Sequence, residues 1–402
     1  MSARAAPSCL PGRGRGQSGA MRDLCARLSH LFRLGRPFAL VMVVEVTGSS
    51  PSPVGQMMAV DESGRVHGSL SAGCIESEAY HRALKVLEAG GVEGRSCERF
   101  EWDGLDPLSA GLSCGGSLQL MVRLVRPGAE AALPAALAAL ECGEPFALVT
   151  ALDGAVAGAQ AVVRAGSVIG ELRLGADDAA FSPEESVPAS GGARYRMVRL
   201  ADGPRVLVQW FDPPPQLLIF GVNAFTEPLR AQGMALGYRV TVCDARPVFA
   251  AAVPGAVVEW PHRALASVPL DERSAICSLT HDLRFEVPLL RAALRGPAGY
   301  VGALGSRRAN EQRLRALRGA GCTESELARL RAPMGLDLGD PSPAATALAV
   351  AAELVQARTG RSGRPLSGLG GTIHDRRPRP AEHEPIRRIA VDSRRHATGA
   401  KA

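Results

Sequence analysis

Two glycine-rich loops carry a central cysteine. In Gly68-Ser69-Leu70-Ser71-Ala72-Gly73-Cys74 the thiol sits where a loop becomes a helix. Free amides and the dipole at such a helix start lower a thiol pKa and attract anions. Glu76 follows within the first turn, placed as an acid or base or as a simple charge partner of the helix N-terminus. Cys114 lies in Gly111-Leu112-Ser113-Cys114-Gly115-Gly116, where so much glycine suits close backbone approach to a ligand or to another loop. Two soft thiols on such loops suit a soft metal or the acceptance of sulfur. Cys74, Glu76 and Cys114 are the candidate catalytic residues, and the two cysteines are the candidate metal ligands. Each thiol also fits the ordinary role of a small buried hydrophobe.

A second set of residues lies further along the chain. The strand-like run QLLIF enters Gly221-Val222-Asn223-Ala224-Phe225-Thr226, and Asp244 ends the next strand 23 residues after Gly221. A nucleotide-binding βαβ unit uses glycine-x-glycine to turn tightly beside a pyrophosphate and a later acid to hold a ribose. The first glycine and the acid are present, but Asn223 replaces the second glycine, and its side chain is expected to crowd the phosphate path. Thr280-His281-Asp282 follows a predicted strand at the rim where open α/β sheets bind ligands. His281 reads as a proton-transfer group or as a turn histidine beside Asp282. Gly302-Ala303-Leu304-Gly305-Ser306-Arg307-Arg308 brings a strand end, two glycines and a helix start together, with arginines placed to clamp a phosphate or simply to face solvent.

These residues need a scaffold, and the periodicity supplies one. Residues 1–20 carry Gly, Pro, Arg and Ser without an apolar period, so a disordered extension is expected there, with Met21 as an alternative start. Leu24, Leu28, Leu31 and Leu34 recur at helical spacing, and PFALVMVVEV reads as a buried strand. It runs into the turn-rich loop holding Gly48, Ser49, Ser50 and Gly55. A hairpin, a helix from Ile75 to about Ala89, and strands near 97–102 and 118–125 follow. Residues 129–142 read as a helix, and 145–210 as short strands expected to extend the first sheet. Asp212-Pro213-Pro214-Pro215 is a stiff linker, since each proline fixes φ. Beyond it, strands and helices alternate, which implies a parallel sheet covered on both faces. The expected architecture is α/β: an N-terminal mixed α/β domain over 21–210, a Rossmann-like doubly wound domain over 213–358, and a disordered basic tail over 359–402.

Composition narrows the partners. The chain has 402 residues, 46% apolar residues and a net charge of +6, yet residues 21–360 carry 33 basic against 36 acidic groups. The excess of positive charge belongs to the tails. With only 4% aromatics there is little to stack on bases, so no nucleic-acid partner is expected. No apolar run reaches the roughly 18 residues of a membrane span. Nine cysteines without a C-x-x-C pair suit a reduced, cytoplasmic setting.

The segments GSSPSPVGQMM, GSLSAGCIESEA, LSCGG, LLIFGVNA with GYRVTVCDAR, LTHD, YVGALGSRR and PMGLDLGDPSP resemble, in that order, the XdhC/CoxI family of xanthine dehydrogenase accessory proteins. The resemblance runs from about residue 30 to 358. It implies a chaperone, rather than a turnover enzyme, that transiently binds molybdenum cofactor (molybdopterin) and helps its sulfuration with a cysteine desulfurase. The cofactor then passes to a molybdenum hydroxylase apoenzyme of the xanthine or carbon monoxide dehydrogenase type, and a homodimer is implied. The candidate cofactor-binding positions are Gly48, Ser49, Ser50, Gly55, Gly73, Gly115, Gly116, Gly221, Asp244, Arg246, His281, Asp282, Gly305, Ser306 and Arg307, of which the resemblance implies Gly115, Gly116, Gly221, Asp244 and Arg246. The family's G-x-G-H is Gly221-Val222-Asn223-Ala224 here, which does not favour NAD(P), and its Pro-Glu-Glu helix start is Pro343-Ala344-Ala345. The competing readings are a nicotinamide-dependent oxidoreductase using Gly221 and Asp244, and a scaffold for the hydroxylase that binds no cofactor.

Overall fold

The structure is a computed structural model that describes residues 17–47, 52–70, 75–90, 97–102, 117–175, 187–188, 193–200 and 203–370. The expectations for the tail beyond 370 lie outside these residues, as do those for Gly48, Ser49, Ser50, Gly73, Cys74, Cys114, Gly115 and Gly116. Helix α1 (Gln17–Leu34) starts four residues before Met21 and buries Leu24, Leu28 and Leu31 of the apolar stripe read from the sequence, while Leu34, the fourth, is exposed at the helix end.

The first sheet is antiparallel and is built from β1 (Phe38–Thr47), β2 (Met57–Asp61), β3 (Val66–Gly68), β4 (Cys97–Trp102) and β5 (Ser117–Val125), in the order β3-β2-β1-β5-β4. Helix α2 (Glu76–Glu88) covers one face through Ala79, Ala83 and Val86, which pack with Val41, Val43 and Leu120. The other face packs on α1, on α3 (Ala132–Cys142) and on a second sheet. That sheet contains β6 (Phe146–Ala151), β7 (Gln160–Arg164), β8 (Ser167–Gly170), β9 (Val187–Pro188), β10 (Ala193–Arg199) and β11 (Arg205–Phe211), in the order β8-β7-β6-β11-β10-β9.

The middle segment therefore stacks on the first sheet and does not extend it, contrary to the expectation from its sequence. Along β6 the side chains of Phe146 and Leu148 face the first sheet's core, while Ala147, Val149 and Ala151 join Val206, Val208 and Trp210 in a separate one. A strand apolar on both faces buries both by stacking on a neighbour, and edge addition would leave one of them wet. Arg123 of β5 bridges the two sheets, donating to Glu130 at 2.9 Å and to Gln160 at 2.6 Å.

The third sheet is the expected parallel one: β12 (Gln216–Phe220), β13 (Arg239–Cys243), β14 (Ala275–Ser278), β15 (Tyr300–Ala303) and β16 (Leu330–Arg331), in the order β13-β12-β14-β15-β16. Helices α4 (Thr226–Ala235) and α10 (Pro343–Thr359) cover one face; α5 (Pro247–Ala250) follows β13 at the rim. Helices α6 (Pro261–Ala266), α7 (Leu283–Arg295), α8 (Arg307–Gly319) and α9 (Glu324–Leu327) cover the other. Strand order reverses between β12 and β14, so the crevice outside their carboxyl ends is the topological switch point. The proline linker is fastened on both sides: Asp212 takes Arg194 of β10 at 2.9 Å and Arg273, ahead of β14, at 3.7 Å. Arg273 also donates to the Pro213 carbonyl at 3.1 Å.

Candidate functional site: the rim of the parallel sheet and the glycine loops

Four loops converge at the carboxyl ends of β12, β13, β14 and β15, and they carry Gly221, Asp244, Arg246, His281, Asp282, Gly305, Ser306 and Arg307. Gly221 has φ +100°, and a Cβ there would lie 2.9 Å from the Thr280 nitrogen, so only glycine lets the β12 and β14 loops approach this closely. Asp244, 3% exposed, accepts from the Val222 N–H at 2.8 Å and from the Arg246 N–H, Nε and Nη2 at 2.8–2.9 Å. Burial alone would raise its carboxyl pKa, but the Arg246 guanidinium and the two backbone donors outweigh it and hold it down. Arg246 also stacks over Phe249, 3.9 Å from the ring centroid.

Asn223 turns its carboxamide back onto its own loop and onto the end of β14. Its Nδ2 donates to the Leu279 carbonyl at 3.0 Å and its Oδ1 accepts from the Phe225 N–H at 3.0 Å. The backbone carbonyl at the end of β14 reorients the carboxamide, a long-range partner that the motif does not reveal.

Asp282 is the N-cap of α7, accepting from the Arg284 N–H at 3.0 Å, and it pairs with the Arg284 side chain at 2.6 Å. His281 is exposed beside Gly305, its Cε1 3.8 Å from the position of a Cβ on that glycine. Ser306 caps α8 by accepting from the Ala309 N–H at 3.2 Å. Arg307 and Arg308 face solvent and have no ion-pair partner among the described residues.

Beneath this rim lies a cluster that the motifs did not reveal. Arg313 of α8 pairs with Glu286 of α7 at 2.9 Å and donates to the Leu304 carbonyl at 2.8 Å, while the Ser278 hydroxyl donates to Glu286 at 3.3 Å. A surface-looking Arg in a helix rich in arginine gives no signal of burial.

In the N-terminal part, Ser52 donates to the Leu70 carbonyl and Gln56 to the Ser69 carbonyl at 2.6 Å, tying two of the three glycine loops together. Glu76 accepts from the Ser69 hydroxyl at 2.9 Å and sits at the first residue of α2. Gly55 has φ +86°, and the carboxamide of Gln209 from β11 fills the place its Cβ would take. Gln209 is 2% exposed, and its Oε1 has no hydrogen-bond partner among the described residues. In the sequence it is one polar residue within RVLVQW, with nothing to single it out.

Cys243 and Cys277 are packing residues in buried strands, as read from the sequence; burial pushes the Cys243 thiol up to about 11 and Cys277 higher still. No group of three or more metal-ligating side chains occurs among the described residues. No helix of the described residues is long and apolar enough to cross a membrane.

A parallel doubly wound sheet with its ligand rim at the switch point, preceded by two stacked antiparallel sheets with glycine loops, defines the class of protein. The model described as the XdhC Rossmann domain matches residues 217–354, and that of the XdhC and CoxI family matches residues 31–100. The chain belongs to the XdhC and CoxI family. It is 27% identical over 324 residues to the molybdenum cofactor insertion chaperone PaoD of Escherichia coli, covering 81% of this chain and 84% of that one. It is 22% identical over 330 residues to a protein of Bacillus subtilis named as a probable xanthine dehydrogenase component, covering 79% and 92%. A crystal structure of a xanthine dehydrogenase from Bacillus halodurans shares the fold with a TM-score of 0.65 at 22% identity, covering 85% of this chain and 97% of that one.

Proposed function

We propose that this protein is an accessory chaperone that carries molybdenum cofactor as cargo and delivers it to a molybdenum hydroxylase of the xanthine or carbon monoxide dehydrogenase type. The observation that carries the reading is the likeness, along four fifths of the chain, to a protein named as a molybdenum cofactor insertion chaperone. The geometry supports it: exposed Arg307 and Arg308 beside the Ser306 cap suit the cofactor's phosphate. The loops tied by Ser52 and Gln56 suit close approach of a flat, bulky pterin.

In this reading the cofactor is held transiently between a unit formed by 21–210 and one formed by 213–358. Cys74 and Cys114 touch the molybdenum ligand sphere, a cysteine desulfurase supplies the sulfur, and the protein works in the cytoplasm as a homodimer. The test is an anaerobic incubation of the full chain with freshly released molybdenum cofactor, followed by gel filtration. Pterin fluorescence after oxidation and molybdenum content are then measured in the protein fraction. Co-elution of both supports the reading, and their absence rejects it. Loss of molybdenum from Cys74→Ala or Cys114→Ala at an unchanged melting temperature supports the role of the thiols; retention by both removes it.

A further inference from the structure

The loop after β12 stands where the pyrophosphate of a dinucleotide lies in a βαβ unit, yet its Val222, Asn223, Phe225 and Thr226 N–H groups are already engaged. A binding loop of this type presents free backbone N–H groups and the positive end of the next helix to the phosphates. Here the Val222 N–H donates to Asp244 at 2.8 Å, the Asn223 N–H to the Thr226 hydroxyl at 2.9 Å, and the Phe225 N–H to Asn223 Oδ1 at 3.0 Å. The Thr226 N–H donates to the Asn223 carbonyl at 3.1 Å, and Pro228 in the first turn of α4 has no N–H to offer. Glu227 adds negative charge to the same turn. The acid suited to a ribose, Asp244, is held by Arg246 on both oxygens.

We propose that Asn223 is the residue that sets what this rim accepts: it keeps a latent dinucleotide site closed. Its Oδ1 takes the place of an anion on the Phe225 N–H, and its Nδ2 straps the loop to the Leu279 carbonyl across the switch point. This loop then disfavours a pyrophosphate, and removing the Asn223 side chain frees the Phe225 N–H to meet one. This inference stands apart from the cofactor reading, because it concerns nucleotide binding by the cargo-free protein.

The experiment is a fluorescence titration of the full chain with NADH, using the wild type, Asn223→Gly and Asn223→Asp, with a melting curve for each. The wild type is expected to show no saturable binding at millimolar NADH. Asn223→Gly, which removes both side-chain bonds and restores glycine-x-glycine, is expected to bind at least tenfold more tightly. Asn223→Asp keeps the acceptor on the Phe225 N–H and adds charge, so it stays closed. Asn223→Ala replaces the glycine variant should that one fail to fold. Saturable binding by the wild type, binding by Asn223→Asp, or no gain in a folded Gly or Ala variant each overturns the proposal.

Discussion

Glu286 and Arg313 form an ion pair at 2.9 Å directly under the loop that carries Gly305, with side chains 2% and 1% exposed. Burial pushes the Glu286 carboxyl pKa up, and the Arg313 guanidinium and the Ser278 hydroxyl pull it part of the way back. Removing one member leaves a buried charge without compensation, which costs about 3–5 kcal/mol, whereas replacing both by apolar groups is often neutral. Arg313→Met alone is therefore expected to lose most of the stability of the third sheet, and Glu286→Leu with Arg313→Met to recover most of it. Denaturant unfolding of the three proteins checks this, and a single variant costing under about 1 kcal/mol would contradict it.

Asp61 closes the β2–β3 hairpin by accepting from the Ser63 N–H and hydroxyl, the Arg65 N–H and His67 Nε2. Burial alone would raise its pKa, but these donors lower it from 3.8 to about 2. A carboxylate depressed in the folded state contributes stability that is full above the unfolded pKa and lost as pH falls toward the folded one. At neutral pH the contribution is about 2 kcal/mol. The stability gap between wild type and Asp61→Asn is expected to be constant from neutral pH down to near 4 and to shrink below it; a gap independent of pH would refute the assignment.

Gly221→Ala places a Cβ 2.9 Å from the Thr280 nitrogen at φ +100°. Backbone strain of this kind costs about 1–3 kcal/mol. The variant is expected to melt lower and to lose hydrogen-exchange protection in the C-terminal part, while α1 and the first two sheets keep theirs.

The Tyr300 hydroxyl donates to Glu353 Oε2 at 2.7 Å, and the same oxygen accepts from the Gly335 N–H at 2.7 Å. This joins β15, α10 and the loop after β16. Tyr300→Phe keeps the ring but leaves a buried carboxylate under-bonded, so a loss of about 1–3 kcal/mol is expected in thermal or denaturant unfolding.

The third sheet was legible because parallel strands buried on both faces read as unbroken apolar runs separated by helical periods, and QLLIF-Gly221 and the later Asp244 keep their spacing to one another. The second sheet was only half legible. Alternation along β6 and β11 revealed strands, but stacking rather than edge pairing depends on where the other face goes, and both faces there are apolar. At the rim, the orientation of Asn223 depends on a carbonyl 56 residues on, and the burial of Arg313 on a glutamate in another helix. Neither is written in local spacing. Gln209 shows the same limit, since only the packing of β11 against Gly55 distinguishes it from any polar residue on a strand.

Asp212 answers to an arginine on each side, Arg194 from the second sheet and Arg273 from the third, through contacts 24–34% exposed. Pairs this wet are worth about 0–1 kcal/mol each and weaken as salt rises. The proline linker is thus a clasp with a stiffness comparable to thermal energy. Rising ionic strength is therefore expected to loosen the clasp at Asp212 while leaving the ligand loops untouched.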